Sequence, residues 1–151
     1  VTHLNAFFLA TLLGEAASKT IFTDPTSLPE VKENIVVGGG WKPGNSTDYV
    51  AVKVAAKQEI STLVILTNVD YVYDKDPRKF DDAKPIEKMT WADLKAIVGD
   101  EWIPGANTPL DPLACKLAEE IGLKVVFMNG TNVENFAAFL NGNDFIGTTI
   151  A

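Results

Sequence analysis

Two apolar hexapeptides, STLVIL (Ser61–Leu66) and LKVVFM (Leu123–Met128), constrain the fold of this chain more than any other feature. Each has strand length and an almost unbroken run of apolar, largely β-branched residues, the pattern of a strand covered on both faces. Cap-marked segments of helical period surround them. The spacing predicts helices over about Leu4–Ser18, Thr47–Gln58, Trp91–Val98, Asp111–Ile121 and Asn132–Leu140. It predicts strands over Thr20–Thr23, Asn34–Val37, Thr62–Leu66, Lys124–Met128 and Phe145–Ile150. Strands alternating with helices imply an α/β architecture: a three-layer αβα sandwich around a mostly parallel central sheet. The opening VTHLNAFFLATLLGEAA reads as the entry to a buried helix.

With 151 residues, the chain has about the size of one domain. No apolar run approaches the ~20 residues of a membrane span. A net charge of −7 argues against a broad nucleic-acid surface, which needs clustered Lys and Arg, but leaves room for a small phosphorylated ligand. The lone Cys115 fits a reducing compartment, so the expected location is the cytoplasm. Val1 is not preceded by an initiator methionine, and the expectation is that an upstream segment is missing.

In sheets of this kind, ligands sit outside the carboxyl ends of the strands, where helix N-termini point into the crevice. Two loops there are candidates. The first, GGGWKPGNSTD (Gly38–Asp48), combines glycines with hydroxyls and free N–H groups at a helix start. Taken alone, a turn followed by an N-cap at Ser46 or Thr47 explains it more simply. The second is the loop that follows Thr62–Leu66, where Thr67, Asn68 and Asp70 leave the strand and Tyr73, Asp74 and Asp76 follow. Taken alone, a capped and solvated turn accounts for it too.

Read together, these loops belong to a longer series of ordered motifs. GGWKPGNSTDYVA (Gly39–Ala51), TNVDYVYDKDPRK (Thr67–Lys79), AKPIEKMTWADL (Ala83–Leu94), LDPLACKLA (Leu110–Ala118) and FIGTTI (Phe145–Ile150) stand at consistent spacing. In these motifs the chain resembles the archaeal-type uridylate kinases (UMP kinases) of the amino-acid-kinase superfamily, over nearly its whole length. The resemblance implies the amino-acid-kinase, carbamate-kinase-like fold, incomplete at its N-terminus. The chain would be the C-terminal two-thirds of one such domain, with 1–50 on the acceptor side and 51–151 on the ATP side. It implies transfer of the γ-phosphoryl group of ATP to UMP, with Mg2+, in a homo-oligomer that is commonly a hexamer.

Carried over by position, the resemblance assigns UMP binding to Trp41, Lys42, Pro43, Gly44, Asn45, Ser46 and Thr47. It assigns ATP contacts to Thr67, Tyr73 and Asp76, and a catalytic, orienting role to Asp48. No protein metal ligands are assigned. Two departures stand out: Trp41-Lys42 replace the common Thr-His, and Tyr71 stands where the family usually has Gly. If that backbone needs a positive φ, a tyrosine there carries strain of order 1 kcal/mol. These 151 residues by themselves are expected to lack kinase activity, because the family's first glycine-rich turn lies upstream.

His3, Trp91 and Trp102 are read as packing residues, and Cys115 as a small buried one. Asp81 and Asp82 are read as a solvated turn, and Lys75, Arg78 and Lys79 as solvated surface. Two alternatives accompany the kinase reading. One is a nucleotide-binding or storage relative without phosphoryl transfer. The other is a superfamily kinase for another small phosphate such as isopentenyl phosphate.

Overall fold

The computed structural model describes residues 1–30, 32–99 and 108–151. The chain divides into two compact units, Val1–Glu59 and Ile60–Ala151. Trp102 lies outside the described residues.

In the first unit, helix α1 (Thr2–Leu13) is followed by a single 3-10 turn at Gly14–Ala16. The predicted helix ran on to Ser18, but Gly14 adopts φ +57°, a left-handed conformation that ends an α-helix at little steric cost. The expected burial of α1 does not hold. Only Ala6 is buried, packing with Ala17 and Val37 and flanked by Ala10, Leu13 and Ile21. Leu4, Phe7, Phe8 and Leu12 remain exposed. The helix is apolar on all sides, so the small core of its unit covers one stripe and leaves the others open. The predicted strands at Thr20–Thr23 and Asn34–Val37 reduce to isolated parallel bridges, Ala17 with Ile35 and Phe22 with Gly38. Helix α2 (Thr47–Lys57) begins where Ser46 accepts a hydrogen bond from the Tyr49 N–H at 3.0 Å, and it buries Val50, Val52 and Ala55.

The second unit is built on strand β1 (Thr62–Thr67), a two-residue ribbon of β2 (Val72–Tyr73) and β3 (Pro85–Ile86), and strand β4 (Lys88–Met89). Helices α3 (Trp91–Val98) and α4 (Pro112–Glu120) follow, then strand β5 (Lys124–Asn129), helix α5 (Val133–Leu140) and strand β6 (Thr148–Ile150). The sheet order is β1-β5-β6-β4. β1 pairs with β5 and β4 with β6 in parallel, while β5 and β6 run antiparallel, so two of the three pairings are parallel as expected.

Burial follows position in this sheet. β5 has strand neighbours on both sides and buries Val125, Val126, Phe127 and Met128, whereas β1 lies at an edge and is only half-buried, with Leu66 50% exposed. The apolar run STLVIL therefore does not make the doubly covered strand it predicts, because being covered depends on neighbours rather than on composition.

Helix starts are set locally. Thr90 and Asp93 form a reciprocal capping box on α3, and hydrogen bonds from the Thr90 N–H and hydroxyl hold the Asp93 carboxyl below its usual pKa. Asp111 accepts from the Leu113 and Ala114 N–H groups ahead of Pro112 on α4, and Asn132 caps α5. The exposed Lys95–Glu119 pair, at 2.6 Å, joins α3 to α4. Trp91 and Cys115 are buried, as read from the sequence. The closing strand starts at Thr148 rather than Phe145 because Asn135 takes both backbone groups of Ile146. Its Nδ2 donates to the Ile146 carbonyl, and its Oδ1 accepts from the Ile146 N–H, both at 2.7 Å.

Candidate functional site

The loop after β1 folds back through the β2–β3 ribbon and borders a cleft of about 190 Å³. Thr67, Tyr73 and Asp76, the three positions assigned to ATP, all line it. Val72, Ile97 and Phe127 supply apolar lining; Asn68 and Arg78 add polar groups. Sequence reading passed over Ile97 and Phe127 as wall residues, since nothing local distinguishes a cleft-lining apolar residue from a core one. An apolar lining with a few convergent polar groups suits a flat heterocycle carrying a polar tail.

Several bonds shape this loop. The Val72 N–H donates to Thr148 Oγ1 at 2.8 Å, and the Thr148 hydroxyl donates in turn to the Ile86 carbonyl. Asp74 closes the ribbon by exchanging bonds with Lys84: its N–H donates to the Lys84 carbonyl at 3.2 Å and its Oδ1 accepts from the Lys84 N–H at 2.8 Å. Tyr73 meets Tyr71 edge to face, with ring centroids 6.3 Å apart. Among the described residues Glu59 is the one non-glycine with a positive φ, so Tyr71 carries none of the strain its position suggested.

Asp76 accepts from the Arg78 N–H at 3.0 Å and from Arg78 Nε at 3.2 Å, with Lys79 Nζ 3.9 Å away. The Arg78 guanidinium, then the Arg78 backbone N–H, hold the Asp76 carboxyl below its ordinary 3.8. Because this pKa is lowered, the ionised and paired form persists through neutral pH and is lost only as pH falls through the lowered value. Arg78 and Lys79 thus stand beside a carboxylate rather than simply in water. Lys75 is likewise paired, to Asp82 at 2.6 Å, and lies 5.4 Å from the centre of the Phe80 ring, so Asp82 belongs to a salt-bridged turn.

The second candidate loop lies in the other unit. Lys42-Pro43-Gly44-Asn45 forms a tight turn: Gly44 has φ +87° and the Asn45 N–H donates to the Lys42 carbonyl at 3.2 Å, as expected of a type II turn with Pro then Gly at its centre. Ser46 spends its hydroxyl on the N-cap, while Thr47 is exposed and Asp48 half-buried in the first turn of α2. The preceding glycines make room for side chains of their own unit. A Cβ on Gly38 would stand 1.9 Å from the Phe22 ring, and one on Gly39 would stand 2.2 Å from the His3 ring. His3 Nε2 lies 2.8 Å from the Gly40 carbonyl oxygen, consistent with its reading as a packing residue.

Trp41 is flanked by two ammonium groups, Lys42 Nζ at 4.6 Å and Lys53 Nζ at 6.0 Å from its ring centre, and Lys53 also lies 5.0 Å from that of Tyr49. The Trp41 indole N–H is buried and completes no hydrogen bond of normal geometry among the described residues. Asp24 has its carboxyl held low, first by hydrogen bonds from the Thr26 hydroxyl and N–H, with smaller contributions from Trp41 and Lys42. Among the described residues no three His, Cys, Asp or Glu side chains converge as a metal site. No helix among them is long and apolar enough to cross a membrane.

Residues 15–129 match the amino acid kinase family. The uridylate kinase of Methanospirillum hungatei is 36% identical over 153 residues, covering 99% of this chain and 65% of that protein. The uridylate kinase of Methanocaldococcus jannaschii is 40% identical over 139 residues, covering 88% of this chain and 60% of that protein. The chain thus spans somewhat less than two-thirds of the length of these two curated relatives. The crystal structure of uridylate kinase from Archaeoglobus fulgidus superimposes with a TM-score of 0.81 at 30% identity, over 98% of this chain and 67% of that one. An isopentenyl phosphate kinase structure, at 17% identity and a TM-score of 0.61, shares the fold.

Proposed function

The chain belongs to the amino acid kinase family, and from that premise we propose that it is part of a uridylate kinase, an enzyme moving the γ-phosphoryl group of ATP to UMP. A UMP phosphate oxygen forms the new bond to the γ-phosphorus as the bond to the β-bridging oxygen breaks, giving UDP and ADP. The observation that carries this reading is the gathering of Thr67, Tyr73 and Asp76, 10 positions from first to last, onto one cleft with an apolar lining. The uridylate kinase relatives point to the same chemistry.

In this reading the cleft takes ATP. The base packs beside Tyr73 and the apolar lining, Thr67 offers a hydroxyl to a polar edge, and Asp76 with Arg78 presents a charge-balanced pair to the ribose or phosphates. The loop Trp41, Lys42, Pro43, Gly44, Asn45, Ser46 and Thr47 takes UMP, through backbone groups and the exposed Thr47 hydroxyl. Asp48 orients a cation at the transferring group, since phosphoryl transfer depends mainly on positioning and charge neutralisation. Mg2+ would arrive with ATP and neutralise phosphate charge; such ions are commonly held by substrate phosphates and few carboxylates, so a dedicated cage of protein ligands is not required. The proposal extends to pyrimidine nucleotide synthesis in the cytoplasm and to a homohexamer, in keeping with the family resemblance. Residues 1–50 form its acceptor side and 51–151 its ATP side.

An ADP-release assay on the complete protein with UMP, CMP, isopentenyl phosphate and acetylglutamate tests this reading. Turnover with UMP and little with the last two is expected; turnover with isopentenyl phosphate alone, or none with any acceptor, overturns it. Tyr73→Ala and Asp76→Ala are expected to raise the KM for ATP more than that for UMP, and equal effects on both would move these residues out of the donor site. Thr47→Val is expected to weaken UMP binding by about 1 kcal/mol, or somewhat more if its hydroxyl meets a charged phosphate. Calorimetry showing unchanged UMP affinity would remove Thr47 from the acceptor site.

A further inference from the structure

Two adjacent residues at the end of the neighbouring strand, Asn129 and Gly130, hold the donor loop at two points. Thr67, the last residue of β1, is in register with Asn129, the last of β5. The Gly130 N–H donates to the Thr67 carbonyl at 2.8 Å, carrying the parallel ladder one step beyond the strands. A Cβ on Gly130 would stand 3.0 Å from the Leu66 Cβ, so the two strand ends approach closely. Three residues past Thr67 the chain returns to the same place, where Asn129 Nδ2 donates to Asp70 Oδ1 at 3.0 Å. The other end of that amide is also occupied: Asn129 Oδ1 accepts from the Thr131 N–H at 3.0 Å and from its hydroxyl at 2.7 Å. With its oxygen toward two donors and its nitrogen toward a carboxylate, the Asn129 side chain has one orientation that satisfies all three partners.

We propose that Asn129 is a positioning residue for nucleotide binding, acting through Asp70 to hold the Thr67–Tyr71 loop in the shape that forms one side of the cleft. This inference rests on the reading of that cleft as the ATP site. Asn68 and Val69, between the two tethered points, line the cleft together with Thr67 and Tyr71. The tether itself is exposed, and an exposed hydrogen bond contributes little to global stability. Its loss would instead broaden the set of loop shapes, and apparent affinity falls in proportion to the fraction of molecules in the competent shape.

The complementarity can be exchanged. Asn129→Asp keeps both acceptor contacts with Thr131 but sets a carboxylate against Asp70. Asp70→Asn in the same protein then restores a donor at that contact. In the complete protein, Asn129→Asp is expected to weaken ATP binding about tenfold, and Asn129→Ala roughly threefold to tenfold, with UMP affinity and melting temperature nearly unchanged. The double variant Asn129→Asp with Asp70→Asn is expected to return to within about threefold of the parent.

Calorimetry with ATP and with UMP reads both sites. Amide exchange at residues 68–70, faster in Asn129→Ala than in the parent, reads the tether without ligand. Unchanged ATP affinity in Asn129→Asp, or a double variant no better than the single ones, overturns the proposal while leaving the cleft assignment standing. A complete protein that does not bind ATP overturns both.

Discussion

Replacing Asp48 with Asn in the complete protein is expected to lower kcat roughly 100- to 1,000-fold while leaving the KM values for ATP and UMP within about threefold. The substitution is nearly isosteric, so the first turn of α2 and the Ser46 cap should keep their geometry. It removes the negative charge proposed to orient a cation at the transferring phosphoryl group. Asp48 also sits at the positive end of the helix dipole, but that interaction is worth only about 0.3–1 kcal/mol. A kcat loss of the expected size corresponds to about 2.7–4 kcal/mol, too much to be an indirect effect of a weakened helix start. Steady-state kinetics paired with a melting curve separate the two: a large kcat loss with a small change in melting temperature supports the catalytic assignment. A variant turning over at near the parent rate removes Asp48 from the chemistry.

Thr148→Val is expected to destabilise the protein by about 2–4 kcal/mol, because it strands two backbone groups at once. The Thr148 side chain is fully buried, and its hydroxyl bridges the Val72 N–H and the Ile86 carbonyl. Val72 and Ile86 face each other across the β2–β3 ribbon, so one hydroxyl from β6 joins both strands of that ribbon to the main sheet. Valine has the same shape and fills the same space, which isolates the polar loss from any cavity effect. Thr148→Ser keeps the hydroxyl and should recover most of the loss. A urea midpoint for the valine variant close to that of the parent would show that the two backbone groups find other partners. Since Val72 and Tyr73 line the cleft, the valine variant is also expected to weaken ATP binding even where it remains folded.

What could be read from the sequence is what local chemistry controls. The starts of α2, α3, α4 and α5 were legible to within a residue because Ser46, Thr90, Asp111 and Asn132 each satisfy helix N–H groups a few residues away. A turn ahead of the Ser46 cap was legible in the glycine-bearing loop Gly38–Asp48, and the structure places it at Lys42–Asn45. β1 and β5 were found from their apolar runs, and three positions that line the cleft, Thr67, Tyr73 and Asp76, from one short motif.

Other features depend on residues far apart in the chain. That β1 is half-buried while β5 is fully covered follows from their places in the order β1-β5-β6-β4, which no hexapeptide encodes. The exposed faces of α1 follow from how little core its unit offers. The two strands expected in the first unit shrink to single bridges, because an extended segment becomes a strand only when a partner pairs along its length. The β2–β3 ribbon is tied to the main sheet by the hydroxyl of a threonine 76 positions from Val72, and the loop after β1 is tethered by an asparagine 59 positions from Asp70. Hydrogen bonds of that span carry no local periodicity or capping signature. Thr148 and Asn129 looked like unremarkable polar residues at strand ends, and only the tertiary structure, by closing long loops onto one another, decided what they hold in place.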